Sequence, residues 1–256
     1  MSLFIKSLIC HGTSIHQKIP DHFTPASNFT PASNFTYTSN GSAITITGYN
    51  GSDYSEISIP NTIDGLPVRT IADGALAYRH LKSIIIPNSV TYIGFYSFGG
   101  NNFSTITIPS SVEFLGTNVV GGNPDLTSIN VESNNEHYLS MDGVLFNKAR
   151  TILLAYPAAN SRTSYIIPDG VVSTDYQVGQ NALYLTNIIF PASITTIGFG
   201  NFSGNHNLIS ASFMGNAPSW AAYIFYAASP ELKIYYPATA TGWTTPTWNG
   251  YTTVPV

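Results

Sequence analysis

The pentapeptide Ile86-Pro87-Asn88-Ser89-Val90 decides the fold, because its pattern of an apolar residue, proline, two further residues and a branched aliphatic residue recurs along the chain. The other copies are Ile59-Pro60-Asn61-Thr62-Ile63, Ile108-Pro109-Ser110-Ser111-Val112, Ile167-Pro168-Asp169-Gly170-Val171 and Phe190-Pro191-Ala192-Ser193-Ile194. Successive prolines lie 22 residues apart at 87 and 109, and 23 apart at 168 and 191. A fixed period of this length predicts a repeat architecture in which supersecondary units stack.

Three further landmarks accompany the prolines in a constant order. A stretch of the form L-x-x-I-x-I comes before, as in residues 81–86, 103–108, 126–131, 185–190 and 208–213. It puts two apolar residues on one face of a short strand, which the proline then ends. A pair such as Ile93-Gly94 follows, and we expect it to turn the chain because glycine is permissive. The next apolar position should return to the interior, at Ala75, Phe98, Val119, Ala182 and Phe202.

These landmarks resemble the BspA-like family of leucine-rich repeats, over about residues 54–214. The resemblance implies a mainly β fold with short helical or 3-10 turns: a right-handed solenoid with a parallel sheet on its concave face. It also implies secreted or cell-surface proteins, chiefly bacterial with some protist members, implicated in adhesion. The pattern breaks at about residues 132–165, where residues 141–146 and 152–157 look like the two strands of a β-hairpin. Similar hairpins occur in the family, so we interpret this segment as a variant repeat within a continuous stack.

The two ends differ from the repeats. Residues 1–36 contain the tandem duplication Phe23-Thr24-Pro25-Ala26-Ser27-Asn28 and Phe29-Thr30-Pro31-Ala32-Ser33-Asn34, which suits a flexible linker or an arm that adds to a neighbouring molecule. Residues 37–214 form the predicted solenoid, and residues 37–46 alternate like a strand that could cap its first repeat. Residues 215–256 leave the pattern, carry all three tryptophans, and are predicted to form a C-terminal cap, in which residues 232–237 suit one last strand.

Composition favours an extracellular protein. Charged residues make up only 9% of the chain, and serine, threonine and asparagine supply its polar character. A net charge of −4 without a basic run gives no reason to expect nucleic acid as a partner. No apolar run is long enough for membrane insertion, and the start of the chain is not a clear signal peptide. The single cysteine, Cys10, excludes an intramolecular disulfide.

The sequence carries no catalytic, phosphate-binding or dinucleotide motif, so we expect no enzyme and no cofactor. The histidines do not pair with other ligands at metal-like spacing; His11 and His16 form only a weak candidate. A parallel β-helix lyase is the nearest enzymatic alternative, but the proline and Ile-Gly landmarks argue against it. Because the histidines lack partners at metal-like spacing, no metal site is predicted.

The outward positions of the predicted strands define a candidate binding face on the concave side. One row contains Glu56, Ser83, Thr105, Ser128, Asn187 and Ser210; the other contains Ser58, Ile85, Thr107, Asn130, Ile189 and Ser212. Such a surface suits glycan hydroxyls or a flat protein surface, although serine and threonine also suit exposed strands without any ligand. Trp220, Trp243 and Trp248 are candidate aromatic contacts for sugars, with packing inside the cap as the alternative.

Two functions follow from these observations. The first is a non-catalytic adhesion or binding protein, secreted or displayed on a cell, that recognises a protein or glycan surface. The alternative is a structural subunit whose partners are copies of itself, assembled through the N-terminal arm and the solenoid edges. The sequence identifies no particular ligand.

Overall fold

A computed structural model describes residues 30–52 and 56–256 as a stack of coils, one coil for each repeat. The first part contains a 3-10 helix at Ala32–Asn34 and the strands β1 (Phe35–Ser39), β2 (Ile44–Tyr49), β3 (Glu56–Ser58), β4 (Thr62–Ile63), β5 (Leu66–Ile71), β6 (Ser83–Ile85), β7 (Tyr92–Ile93), β8 (Thr105–Ile108), β9 (Phe114–Leu115) and β10 (Ser128–Val131). The second part contains β11 (Tyr138–Met141), β12 (Val144–Asn147), β13 (Ile152–Ala155), β14 (Ser164–Ile166), β15 (Ser173–Thr174), β16 (Asn187–Phe190), β17 (Thr196–Ile197), β18 (Ser210–Phe213), β19 (Ser219–Trp220), β20 (Lys233–Tyr236), β21 (Thr247–Trp248) and β22 (Tyr251–Pro255).

The L-x-x-I-x-I stretches form the predicted parallel strands, which we call the first ladder. Its pairs are β3 with β6, β8 with β10, and the run β14-β16-β18-β20-β22. Equivalent residues of successive repeats stand side by side, as Thr105 does beside Ser128 and Asn187 beside Ser210. The solenoid predicted from the repeat period is thereby confirmed.

A second ladder of short parallel strands runs along the stack at the Ile-Gly landmarks, where we expected only a turn. It joins β2-β5-β7-β9 and β13-β15-β17-β19. Ile93 is fully buried in it. Gly94 does not have a left-handed backbone; a Cβ there would lie 2.6 Å from the Asp73 nitrogen and 2.8 Å from the Ala72 carbonyl carbon. Glycine is therefore required for the close approach of two coils, and not for a turn.

The apolar core lies between the two ladders. The five positions predicted to return to the interior are all buried, and Phe98 and Phe202 are completely so. Burial on both sides of each coil explains why a single repeat would lack enough core to fold alone. Two apolar clusters make up the core, and they meet at the adjacent residues Val144 and Leu145.

Buried asparagines also hold the coils together, a feature that the sequence analysis did not single out. The side chain of Asn101 is 1% exposed and accepts hydrogen bonds from the backbone N–H of Arg79 and Leu81. Its amide nitrogen donates to the carbonyls of Leu76 and Phe98. Asn123 and Asn205 occupy comparable sites. These amides satisfy backbone groups that irregular turns would otherwise bury without a partner.

The hairpin predicted within residues 132–165 is present. Strands β12 and β13 form the predicted antiparallel pair. β11 also pairs antiparallel with β12, around the Asp142-Gly143 turn, and this second pairing was not predicted. β13 then joins the second ladder by pairing in parallel with β15. This irregular coil therefore keeps the stack continuous, as the sequence analysis proposed.

The N-terminal end is closed by a hairpin of β1 and β2. β1 begins at Phe35, two residues before the boundary that we placed after Thr36, because the Phe35 ring is buried beside Tyr49 at 5.4 Å. The second copy of the duplicated sequence also contacts the first coils, since Thr30 Oγ1 accepts a hydrogen bond from Ser58 N at 2.9 Å. Cys10, His11, His16, His22 and the first copy lie outside the described residues.

At the C-terminal end the ladder continues beyond residue 214, where the sequence analysis placed the start of a cap. β18 pairs in parallel with β20, and β20 with β22. Ile234 is fully buried although its repeat lacks the usual spacing. The closing element is β21, which pairs antiparallel with β22.

Candidate binding surface

The outer face of the first ladder contains the side chains that alternate with the buried ones. In β8, Thr105 and Thr107 are exposed while Ile106 and Ile108 are 2% and 0% exposed. This follows from strand geometry, in which successive side chains point to opposite faces. We call the outward side chains of the first ladder the outer face.

The register places the predicted residues in two rows, as expected. Glu56 lies beside Ser83, Thr105 beside Ser128 and Asn187 beside Ser210 in one row. In the second row Thr107 lies beside Asn130, Ser58 beside Ile85 and Ile189 beside Ser212. Ser58 is only 5% exposed, and its backbone N–H donates to Thr30, so it contributes little to the surface.

The rows are not continuous between Asn130 and Ile189. The Asp142-Gly143 turn lies against β10, where Ile129 N donates to Gly143 O at 2.9 Å. Arg162 and Asp142 form an ion pair at 3.4 Å beside this turn. The face is therefore divided into an N-terminal and a C-terminal half, which the sequence analysis missed because it treated Ser128 and Asn187 as successive rungs.

Six further outward residues belong to the C-terminal half. Ser164 pairs with Asn187, and Ile166 with Ile189. Lys233 pairs with Ser210, and Tyr235 with Ser212. In β22, Thr252 lies beside Lys233 and Val254 beside Tyr235. The signal for β14 was Pro168, since this landmark implies a strand before it even though the leading leucine of the motif is absent.

The outer face is nearly neutral. Within the two rows that the structure describes, the charged side chains are Glu56 and Lys233, in the first and second halves respectively. Ile85 and Ile166 are 63% and 64% exposed, so each half carries a well exposed aliphatic side chain, and Ile166 lies beside Ile189. The other outward side chains include hydroxyls and amides, some of which bond within the face, as Ser128 Oγ does to Asn130 Oδ1 at 3.1 Å. Such a surface can offer hydrogen bonds and small apolar contacts, without the charge that nucleic acid binding requires.

Two tyrosines lie near Arg162, behind the divided part of the face. Burial raises the pKa of Tyr156 to about 12, and the Arg162 charge opposes this shift. Burial likewise raises the pKa of Tyr165, whose ring is 4.8 Å from that of Tyr156. Both phenols therefore stay protonated at neutral pH.

The three tryptophans pack together at the C-terminal end. Trp248 is 8% exposed, and its ring lies 4.4 Å from Trp220 and 4.6 Å from Trp243. Trp243 Nε1 donates to Gly215 O at 3.0 Å, and its ring stacks on Tyr236. The burial of Trp248 favours packing inside the C-terminal end for this residue, and contact of the three tryptophans with a sugar stays a prediction. Trp220 and Trp243 are half-buried.

Within residues 30–52 and 56–256, no group of three or more histidine, cysteine or acidic side chains is placed to hold a metal ion. His80, His137 and His206 lie in different coils. In the same part of the chain, no helix has the length and apolar character needed to cross a membrane.

The protein is a stack of parallel coils. In the regular coils a first-ladder strand ends at an Ile-Pro pair and a second-ladder strand lies at an Ile-Gly pair, which is the pattern of a leucine-rich-repeat protein. The family model for the BspA type leucine rich repeat region matches residues 26–141 and 155–247 in six copies. The chain therefore belongs to the BspA-type leucine-rich repeat family. The match extends past residue 214, in agreement with the continued ladder.

One of the solved structures similar to this chain shows the same fold. A leucine rich cell surface protein from Faecalibacterium prausnitzii A2-165 is 18% identical, with a TM-score of 0.53 over 83% of this chain and 89% of that chain. A leucine-rich repeat protein from Eubacterium ventriosum is 19% identical, with a TM-score of 0.48 over 80% of this chain and 77% of that one. Among curated proteins none matches the chain.

Proposed function

We propose that this protein is a non-catalytic binding protein, secreted or displayed at a cell surface, that contacts a protein or glycan through the outer face. The observation that carries the proposal is the row of exposed, nearly uncharged side chains held in register by the first ladder. A rigid ladder fixes these groups before a ligand arrives, which lowers the entropy cost of binding.

Family membership and the F. prausnitzii neighbour support the extracellular part of the proposal. That neighbour is described as a cell surface protein, and the present chain shares its fold. The shortage of charged residues and the abundance of hydroxyl side chains agree with this location.

Binding by the protein to immobilised matrix proteins and glycans, measured by surface plasmon resonance, tests the proposal. Thr107→Lys places a charged side chain on the outer face, where it should weaken binding at least about tenfold by steric and desolvation effects. Thr196→Lys makes the same chemical change at an exposed position of the second ladder, and should leave binding unchanged. An equal effect of both variants, or no binding to a broad panel, would contradict the proposal.

A further inference from the structure

The turns that close successive coils are joined by a regular series of backbone hydrogen bonds. The N–H groups of Gly74, Leu76 and Tyr78 donate to the carbonyls of Phe95, Ser97 and Gly99, at 2.8, 2.9 and 2.9 Å. One coil further on, the N–H groups of Tyr96, Phe98 and Gly100 donate to the carbonyls of Thr117, Val119 and Gly121, at 3.3, 3.0 and 2.9 Å. Every second residue of each turn thus donates to the next coil.

The series stops at the next turn. The equivalent donors are the N–H groups of Asn118, Val120 and Gly122, and no described residue accepts a hydrogen bond from any of them. Val120 is only 6% exposed. Buried N–H groups without a partner are rare in folded proteins. The N–H group of Val120 therefore needs an explanation, whereas Asn118 is half-buried and Gly122 is exposed to solvent.

The irregular coil explains the interruption. After β13 ends at Ala155, the chain returns directly toward the first ladder, and Ala159 N donates to Leu126 O at 2.8 Å. The turn of residues 117–122 therefore faces the turn of residues 176–180 with no turn between them. Asn118 Nδ2 bridges the two by donating to Gln177 Oε1 at 2.6 Å, although 59 residues separate them.

The opposite wall of this gap offers acceptors. Tyr176 and Gln180 are equivalent to Phe199 and Ser203 of the next coil, whose carbonyls accept from the coil before them at 2.8 and 2.9 Å. No described residue donates to the carbonyls of Tyr176 and Gln180. One wall therefore has unpaired donors, and the other has unpaired acceptors.

A narrow cleft lies between these walls, and the space in and around it, open solvent included, amounts to about 390 Å³. Its walls include Gly121, Gly122 and Gly179, where the lack of side chains leaves the backbone accessible. Leu154 and Tyr156 fill the inner side. We call the space between residues 117–122 and 176–180 the turn slot.

We propose that the turn slot binds an extended peptide segment of a partner protein. The segment would accept hydrogen bonds from Asn118, Val120 and Gly122 and donate to Tyr176 and Gln180, as a missing turn of the solenoid would. Addition of a peptide backbone to an open ladder is a known mode of recognition. A free anion fits less well, because it could satisfy only the donor wall.

The walls also specify the peptide. Leu154 and Tyr156 occupy the interior, so the inward side chains of the peptide must be small. Asp175, which lines the adjoining cavity with Leu115 and Leu154, disfavours an acidic segment. The Asn118–Gln177 hydrogen bond must open for the segment to enter. This site is separate from the outer face and does not depend on the function proposed for it.

Amide hydrogen exchange measured by NMR on the full chain tests this proposal. Without peptide, we expect the N–H groups of Asn118 and Val120 to exchange at least about 100-fold faster than those of Phe98 and Gly100, which have acceptors. The probe is a synthetic peptide of sequence Thr-Asn-Val-Val-Gly-Gly, which copies residues 117–122. At millimolar concentration it should slow exchange of both slot amides about tenfold.

A second peptide, Thr-Pro-Val-Val-Gly-Pro, lacks the two backbone donors that would face the Tyr176 and Gln180 carbonyls, and should protect these amides much less. Gln177→Ala removes the closing hydrogen bond, and should strengthen binding of the first peptide several-fold while the wall donors remain. The proposal is overturned if Asn118 and Val120 are already as protected as Phe98 and Gly100. It is also overturned if the first peptide protects neither amide in both the wild-type protein and the Gln177→Ala variant.

Discussion

Replacing Asn101 with alanine removes the best-connected polar side chain of the described core. Its amide oxygen serves two backbone donors, Arg79 N at 3.1 Å and Leu81 N at 3.0 Å. Its amide nitrogen serves the carbonyls of Leu76 and Phe98, both at 2.9 Å. Because the side chain is 1% exposed, water cannot readily replace these bonds in the variant.

The expected loss of stability follows from these partners. An unsatisfied buried polar group costs about 1–3 kcal/mol, so two orphaned N–H groups cost roughly 2–6 kcal/mol. The carbonyls add less, since a carbonyl without a partner is better tolerated than an N–H group. We therefore expect Asn101→Ala to lower the free energy of unfolding by about 4 kcal/mol.

Urea unfolding followed by circular dichroism measures this loss, with the midpoint compared at constant slope. Asn102→Ala is the matched control, because Asn102 is the next residue and its side chain makes one exposed hydrogen bond, to Asp125 at 3.1 Å. We expect the control to lose less than about 1 kcal/mol. A loss below about 1 kcal/mol for Asn101→Ala, or equal losses for the two variants, would refute the reasoning from buried amides.

Four other predictions follow from the fold. Gly94→Ala should lower the free energy of unfolding in urea by about 3 kcal/mol, because the new Cβ would meet the backbone of the preceding coil. An unchanged free energy would show that the two coils can move apart at no cost. Burial raises the pKa of Asp175, so folding favours its protonated form, and the stability of the wild-type protein should fall as pH rises from the ordinary aspartate range through the raised pKa. Asp175→Asn should therefore melt higher than wild type at pH 7 and equally near pH 3, and a pH-independent difference would contradict this. Trp248→Ala should lower the free energy of unfolding by about 3–5 kcal/mol and leave glycan binding unchanged. Loss of glycan binding in a variant that still folds would show that Trp248 contacts the glycan. If residues 1–29 drive self-assembly, light scattering should give an assembly for the full chain and a monomer for a chain starting at Thr30; equal masses would count against that alternative.

The repeat period made most of the fold predictable. Each Ile-Pro pair marks the end of a first-ladder strand, and the interior positions such as Phe98 follow from the same alignment. The second ladder was missed because its strands are two residues long in most coils, too short for any alternation to show. The close approach of two coils at Gly94 leaves no sign in one sequence beyond the glycine itself.

The candidate surface was predictable in its residues but not in its continuity. Alternation along residues 105–108 identifies outward side chains directly. Where the Asp142-Gly143 turn lies depends on tertiary packing of the hairpin against β10, which local pattern does not encode. The unpaired donors at Asn118 and Val120 likewise arise from what a neighbouring coil lacks. Whether either surface binds a ligand stays a prediction.

The division of the core has a consequence for how the molecule unfolds. Nearest-neighbour contacts carry cooperativity along a repeat array, and here the two apolar clusters meet at the three hairpin strands β11, β12 and β13. The chain is thus two cooperative units in series, coupled through one joint. All three tryptophans belong to the second unit, so their fluorescence reports its melting alone, while circular dichroism reports both. The difference between the two unfolding midpoints would then measure how strongly the hairpin couples the unfolding of one unit to that of the other.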